Sequence, residues 1–344
     1  MSLEQRIKSL NAVRNILDQF VNKNEVDTHN YSKFKKIISL AETKNSWFTE
    51  DSIFSVLKYW NNVLSEDTVT KWLANYTIDS TEKKNVGLVL AGNIPMVGFH
   101  DCLSTLLTGN RAVIKLSSKD SILIPFFLNL WKEFYNELDF EFVETLSNCD
   151  AVITTGSTNT ARYFEYYFKN IPHIIRKNRT SIAVLTGKEI EEQLYGLAND
   201  VFSYFGLGCR SVTQIFIPKD YDLNLLFNIF ISFKNVINHT KYANNYDYNK
   251  AIYLMNQEKF WDNNFIILKE SQNLFSPIGT LYFSTYSDKT EIENFISKNT
   301  ENIQCVVCAQ PLDIYKTIAP GQAQNPKIYD YADGIDTIEF LTHL

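Results

Sequence analysis

Four short stretches carry residues whose type and spacing could do chemistry. The first is FGLGCRS (205–211), where Cys209 sits among glycines and serine, after a helical run and before a strand-like one. A cysteine at a helix end can have a lowered pKa and react as thiolate. Gly206 and Gly208 permit backbone conformations that side chains resist, and they let a substrate approach the chain closely. Most cysteines in apolar surroundings are inert, so a small buried residue on a turn is the competing reading. The second is LAGNIPMVGFHD (90–101), in which a strand ends, Gly92 and Asn93 turn the chain, and Pro95 opens the next helix. Asn93 then lies at the C-terminal edge of a sheet, where its amide could donate to an oxyanion. An ordinary helix-capping asparagine explains it equally well.

The third stretch is RAVIKLSSKD (111–120). Lys115 comes late in a buried strand, where its charge needs a partner or the open sheet edge. There it could hold a ribose hydroxyl or a phosphate, or simply snorkel off the strand end. The fourth is TTGSTNTA (154–161), whose Gly156-Ser157-Thr158 turn between strand and helix could offer N–H groups to a phosphate. It is neither GxGxxG nor a P-loop, and alone it says little. The other cysteines read as structural: Cys305 and Cys308 form C-x-x-C inside IQCVVCAQ, a continuous apolar run. In a strand, residues three apart point to opposite faces, which argues against a redox or metal pair. His29, His100, His173, His239 and His343 are far apart, so no metal site is expected. His100 reads as a helix-surface residue, with a proton shuttle as the alternative.

These residues need a scaffold, and the texture of the chain describes one. The first glycine of the 344 residues is Gly87, and the segment before it reads as helical. Ile7, Leu10, Val13, Ile16, Leu17 and Phe20 fall on one helix face, and Ser65 or Glu66 is a plausible cap further on. From Asn85 strands alternate with helices, which predicts an open, mostly parallel sheet, and a second α/β segment follows the cysteine. Hydrophobic content of 45% and a net charge of −6 suit a soluble globular chain and give no reason to expect nucleic acid or an anionic membrane. The longest apolar run, ILIPFFLNLW, is too short to span a bilayer, and the N-terminus has no signal-type core, so a cytoplasmic protein is expected.

In order and separation the four stretches resemble the aldehyde dehydrogenase superfamily. The matching elements are Asn93-Ile94-Pro95, Lys115, Gly156-Ser157-Thr158 and Gly206-Leu207-Gly208-Cys209. AGNIPMVGFHD, TTGSTNTARYFEYYF and FGLGCRSVTQIFIPKDYD look more closely like the acyl-CoA reductases related to the fatty-acid reductase of bacterial luminescence. The resemblance covers roughly residues 85–344. It implies an α/β fold, aldehyde dehydrogenase-like: a Rossmann-like cofactor domain plus a second α/β catalytic domain, with the active site in the cleft between them. The expected division is 1–195 for the helical segment and NAD(P)-binding domain, 196–320 for the catalytic domain and 321–344 for a tail. Cys209 would be the nucleophile. Asn93 and the Cys209 N–H would form the oxyanion hole. Lys115 would bind the adenosine ribose region, and Gly156 with Ser157 the pyrophosphate side.

Two departures from the superfamily pattern carry meaning. Where hydrolytic members have a glutamate that activates water, RKNRTSIAVLTG (176–187) has Asn178 near that place and no acid. An enzyme that passes its acyl group to or from CoA needs no such base. Three residues after the lysine, where NAD-preferring relatives often carry glutamate, this chain has Ser118 followed by Lys119. That favours NADPH over NAD. The expected reaction is reduction of an acyl-CoA, of long chain, to the aldehyde through a Cys209 thioester. Three alternatives stand beside it: a short-chain acylating dehydrogenase, a non-catalytic subunit taking acyl groups from an acyl-protein synthetase, and a cysteine hydrolase pairing Cys209 with His100, His173 or His239. Relatives often assemble, so a homo-oligomer is expected.

Overall fold

The computed structural model describes residues 2–22, 28–78, 82–312 and 315–344. It divides into two compact units, Met1–Asn178 with Lys327–Leu344, and Arg179–Pro326.

The first unit opens with four helices, α1 (Leu3–Val21), α2 (Thr28–Lys44), α3 (Glu50–Val63) and α4 (Glu66–Leu73). Ser2, Thr49 and Ser65 cap α1, α3 and α4 by accepting a backbone N–H three residues on, which meets donors the helix leaves unpaired. The α1 face expected from the sequence is buried, with Ile16 only partly so. There follow β1 (Asn85–Val89), α5 (Phe99–Leu107), β2 (Arg111–Lys115), α6 (Leu123–Phe134), β3 (Phe140–Phe142), β4 (Ala151–Thr155), α7 (Thr158–Tyr167) and β5 (His173–Arg176). The strands form one parallel sheet in the order β3-β2-β1-β4-β5. Central residues such as Leu88, Ile114 and Ile153 are wholly buried, as a sheet covered on both faces requires. The C-terminal segment joins this core through Ile328, Ile338 and Leu341. It is also tied by polar contacts: Trp72 Nε1 donates to the Tyr331 hydroxyl (2.7 Å) and Arg176 Nη2 to Thr337 Oγ1 (3.0 Å).

Pro95 does not open the helix after β1. Helix α5 starts at Phe99, and Met96, in the turn before it, has φ +55°. The buried carboxylate of Asp120 captures the Met96 N–H at 2.7 Å and holds the chain off the helical path.

The second unit contains β6 (Thr180–Val184), α8 (Glu191–Phe202), β7 (Val212–Pro218), α9 (Leu223–Phe230), α10 (Thr240–Met255), β8 (Trp261–Asp262), β9 (Ile267–Glu270), β10 (Thr280–Tyr286), α11 (Lys289–Asn299), β11 (Ile303–Cys308) and β12 (Thr317–Ile318). Its sheet runs β12-β11-β6-β7-β10-β9-β8 and is parallel except at the β8–β9 edge. One face packs under α8 and α9, the other under α11. Cys305 belongs to the first of these cores and Cys308 to the second, so the C-x-x-C pair is split across the sheet.

The division between the units falls at Asn178/Arg179, not at 195/196, and the tail that joins the first unit begins at Lys327, not at 321. Strand pairing sets the first limit, and burial of Ile328, Ile338 and Leu341 in the first core sets the second. β6 is hydrogen-bonded to β7 and β11, which draws the chain into the second sheet from Thr180 onward.

Candidate active site

In the first unit, β1, β2 and β3 follow one another in one direction and β4 starts on the other side of β1. Open α/β sheets bind ligands at such a reversal, beyond the C-terminal ends of the strands. Asn93 follows β1, Lys115 ends β2, Ser118 follows it, and Gly156 and Ser157 follow β4. The unit therefore brings five of the six residues singled out in the sequence to one sheet edge. Asn93 is half-buried and caps no helix, since Gly98 is the N-cap of α5. Gly92 is required by close approach: a Cβ there would lie 2.5 Å from Ser117 Oγ and 3.1 Å from the Asp120 N. Asp120 is 2% exposed, and burial pushes its pKa up to about 6 against the opposing pull of its backbone donors. Its bond to Met96 ties the loop after β2 to the turn carrying Asn93.

Lys115 is exposed, and its Nζ donates to the carbonyl of Glu144 at 2.5 Å. Ser118 and Lys119 are exposed too. Ser157 caps α7, accepting from Thr160 N at 3.3 Å, and the first turn of that helix holds no acid. An exposed lysine, an uncharged serine at 118 and an acid-free helix N-terminus on one edge suit a phosphate-bearing cofactor.

Cys209 lies in the second unit, at the N-terminal edge of β7. Strand ends do not place it; a strained turn does. Tyr204, Phe205 and Gly206 follow α8 with φ of +52°, +58° and +75°. Non-glycine residues in this region cost roughly 1–2 kcal/mol each and persist only where the surroundings hold them. The Phe205 ring packs on His239 (centroids 4.5 Å) and near Tyr242 (6.2 Å), and Leu207 N donates to Tyr204 O at 3.0 Å. Gly206 supplies the left-handed glycine expected here.

The turn is then pinned at its far side. Ser211 Oγ accepts from Gly208 N (3.2 Å), and Ser211 N donates to Gly208 O (3.0 Å). Ser181 Oγ donates to the Cys209 carbonyl at 3.0 Å and so takes the Cys305 thiol hydrogen at 2.9 Å. Burial pushes Cys305 up to about 11, which keeps it a thiol donor. Burial raises Cys102, Cys149 and Cys308 as well. Cys149 and Cys209 are half-buried while the other three cysteines are buried, and Cys209 is the one of these two that lies on the left-handed turn.

Sequence reasoning missed Asp120, Asp200, Ser181 and Ser211. Buried acids distant in sequence from what they hold leave no local pattern, although an aspartate inside the apolar run LANDVF was an available signal. His100 is not a surface residue: its Nε2 bonds the Ile328 carbonyl at 2.7 Å and its ring packs against Trp72 and Tyr331. His173 Nδ1 bonds Ile171 O, and His239 Nδ1 accepts from Tyr242 N as the cap of α10. Among the described residues no group of three or more His, Cys, Asp or Glu could hold a metal, and the His29 side chain lies outside them. Nor is any described helix long and apolar enough to cross a membrane.

A protein-family model described as acyl-CoA reductase (LuxC) matches residues 9–226, a span that takes in Asn93, Lys115, Ser118, Gly156, Ser157 and Cys209. No curated protein matches. Among solved structures, aldehyde dehydrogenase 21 from Physcomitrella patens, in complex with the reaction product succinate, is similar with TM-score 0.65 at 11% identity over 90% of this chain and 73% of that one. The aldehyde dehydrogenase KauB from Pseudomonas aeruginosa gives TM-score 0.65 at 13% identity over 90% and 72%. A Mycobacterium tuberculosis aldehyde dehydrogenase complexed with NAD+ gives 0.63 at 11% over 90% and 73%. The fold is that of the aldehyde dehydrogenases.

Proposed function

The chain belongs to the acyl-CoA reductase (LuxC) family, enzymes that reduce acyl-CoA to aldehyde, and from that membership we propose that Cys209 carries the acyl group of a long-chain acyl-CoA as a thioester which is reduced with NADPH. The observation that carries this reading is the turn at 204–211: left-handed strain and a full set of hydrogen bonds are spent on displaying one cysteine. Cys209 thiolate attacks the thioester carbonyl carbon, an S–C bond forms, and the C–S bond to CoA breaks as CoA leaves as thiolate. Asn93 and the Cys209 N–H are assigned to the oxyanion, whose stabilisation is the largest single contribution in such acyl transfers. A bound NADPH would supply hydride to the Cys209 thioester carbon. The resulting thiohemiacetal takes its C–S electrons back to Cys209 and releases aldehyde.

Lys115 is assigned to the ribose region of the cofactor, and Gly156 with Ser157 to its pyrophosphate. The solved neighbours complexed with NAD+ support a nicotinamide cofactor, and Ser118 beside Lys119 supports the phosphorylated form. No acid stands in 176–187 before Lys188 to activate water, which suits transfer from CoA rather than hydrolysis. The test is aldehyde release from acyl-CoAs of graded chain length with NADPH or NADH, for wild type and Cys209→Ala. The reading expects aldehyde from wild type only, fastest with long chains and NADPH. Acyl uptake without aldehyde formation would instead support an acyl-accepting subunit, and free fatty acid without cofactor a hydrolase.

A further inference from the structure

A second carboxylate lies inside the second unit, far in sequence from what it holds. Asp200 sits in the last turn of α8 and is fully buried. Its Oδ2 accepts from Gly321 N at 2.7 Å and its Oδ1 from Ala323 N at 3.1 Å. One turn earlier, Gly196 meets the same segment: a Cβ there would lie 2.7 Å from Pro320 C and O, and 2.9 Å from Gly321 N. Gly321 answers with φ +85° and its own close approach, a Cβ on it lying 3.0 Å from Gly196 Cα. Residues 320–323 are thus clamped on α8 by two hydrogen bonds and a glycine-on-glycine contact. The segment reaches on to the nucleophile turn. Arg210 Nη1 donates to Ala323 O at 3.5 Å, and Gln324 Nε2 to Ser211 Oγ at 3.4 Å, the oxygen that also accepts from Gly208 N.

We propose that Asp200 is a positioning residue for Cys209, acting through the 320–324 segment, which it clamps to α8 and which in turn holds the C-terminal flank of the nucleophile turn. A buried carboxylate costs stability unless it is fully bonded. Two α8 positions, 196 and 200, are given over to one short segment that itself bonds Arg210 and Ser211, the two residues that follow Cys209. The inference rests on Cys209 being the reactive thiol.

The experiment uses the full chain and three proteins: wild type, Asp200→Asn and Gly196→Ala. Asparagine keeps one acceptor and turns an N–H donor toward the other amide. Alanine at 196 is the better helix former, yet drives a methyl into Pro320. Two rates are read: acylation of Cys209 by a long-chain acyl-CoA, and alkylation of each cysteine by iodoacetamide, followed by peptide mass. Both variants should lower the maximal acylation rate about tenfold, the scale of a sub-ångström misplacement, with the half-saturating acyl-CoA concentration unchanged. Both should change the alkylation rate of Cys209 while Cys305 and Cys308 stay unreactive. Wild-type rates at Cys209 in both variants would overturn the proposal, as would a fall accompanied by alkylation of Cys305, which marks general loosening. If wild-type protein takes no acyl group, the reading of function fails, and the iodoacetamide rates at Cys209 still decide the role of Asp200.

Discussion

At the level of single side chains, Asn93 and Ser118 separate the two halves of the proposed chemistry. Asn93→Ala removes one donor to the oxyanion and leaves the turn's backbone in place. The expected loss in kcat is about 10²–10³, with little change in cofactor affinity; steady-state kinetics at saturating NADPH check this. Ser118→Glu puts a carboxylate where a 2′-phosphate is expected. It should raise the NADPH dissociation constant about tenfold, or roughly 1.4 kcal/mol, and leave NADH binding nearly unchanged, as fluorescence titration of the two cofactors would show. Both side chains could be read from the sequence because their types and their spacing from Lys115 and Pro95 were visible there. Asp120 and Asp200 could not, since each acts on backbone that another part of the chain brings to it.

Elements decide where those side chains stand. Helix α5 begins four residues beyond Pro95, because Asp120 takes the Met96 N–H and the turn tightens against Ser117. Gly92→Ala would set a methyl 2.5 Å from Ser117 Oγ and 2.7 Å from its Cβ. The expected cost is about 1–3 kcal/mol of overpacking strain, together with a lower kcat as the Asn93 turn shifts. Thermal unfolding and turnover, measured on the same preparation, should fall together. Helix faces and alternating strands were legible as periodicity, so α1, the β1–α5–β2 order and the split C-x-x-C pair follow the sequence. β5, β8 and β12, at two to four residues, are too short to carry a period and are defined by pairing alone. The left-handed turn at 204–206 was legible only in part: Gly206 announced it, but Tyr204 and Phe205 adopt positive φ because His239 and Tyr242 hold the Phe205 ring.

For the whole chain, two compact units each carry a buried carboxylate next to proposed site residues. Their titration ties stability to pH. Burial raises Asp200 from 3.8 to about 7. A folded-state pKa above the unfolded value means that the folded form holds its proton more tightly. The associated stability is full below about pH 4 and is lost as pH rises through about 7. Unfolding of wild type should therefore shift to lower temperature between pH 5 and pH 8, and Asp200→Asn should flatten that slope. Parallel slopes for the two proteins would assign the pH dependence elsewhere. The boundary at Asn178/Arg179 belongs to this scale also. It follows from which sheet β6 joins, a long-range pairing that composition does not encode.

The most direct measurement is the intact mass of the protein after mixing with a long-chain acyl-CoA in the absence of any nicotinamide cofactor, for wild type and Cys209→Ala. The account predicts a gain of one acyl group on wild type, none on the variant, and discharge of that group as aldehyde when NADPH is added. Wild type that takes up no acyl group across several chain lengths, or a variant that takes it up equally, would contradict Cys209 as the nucleophile.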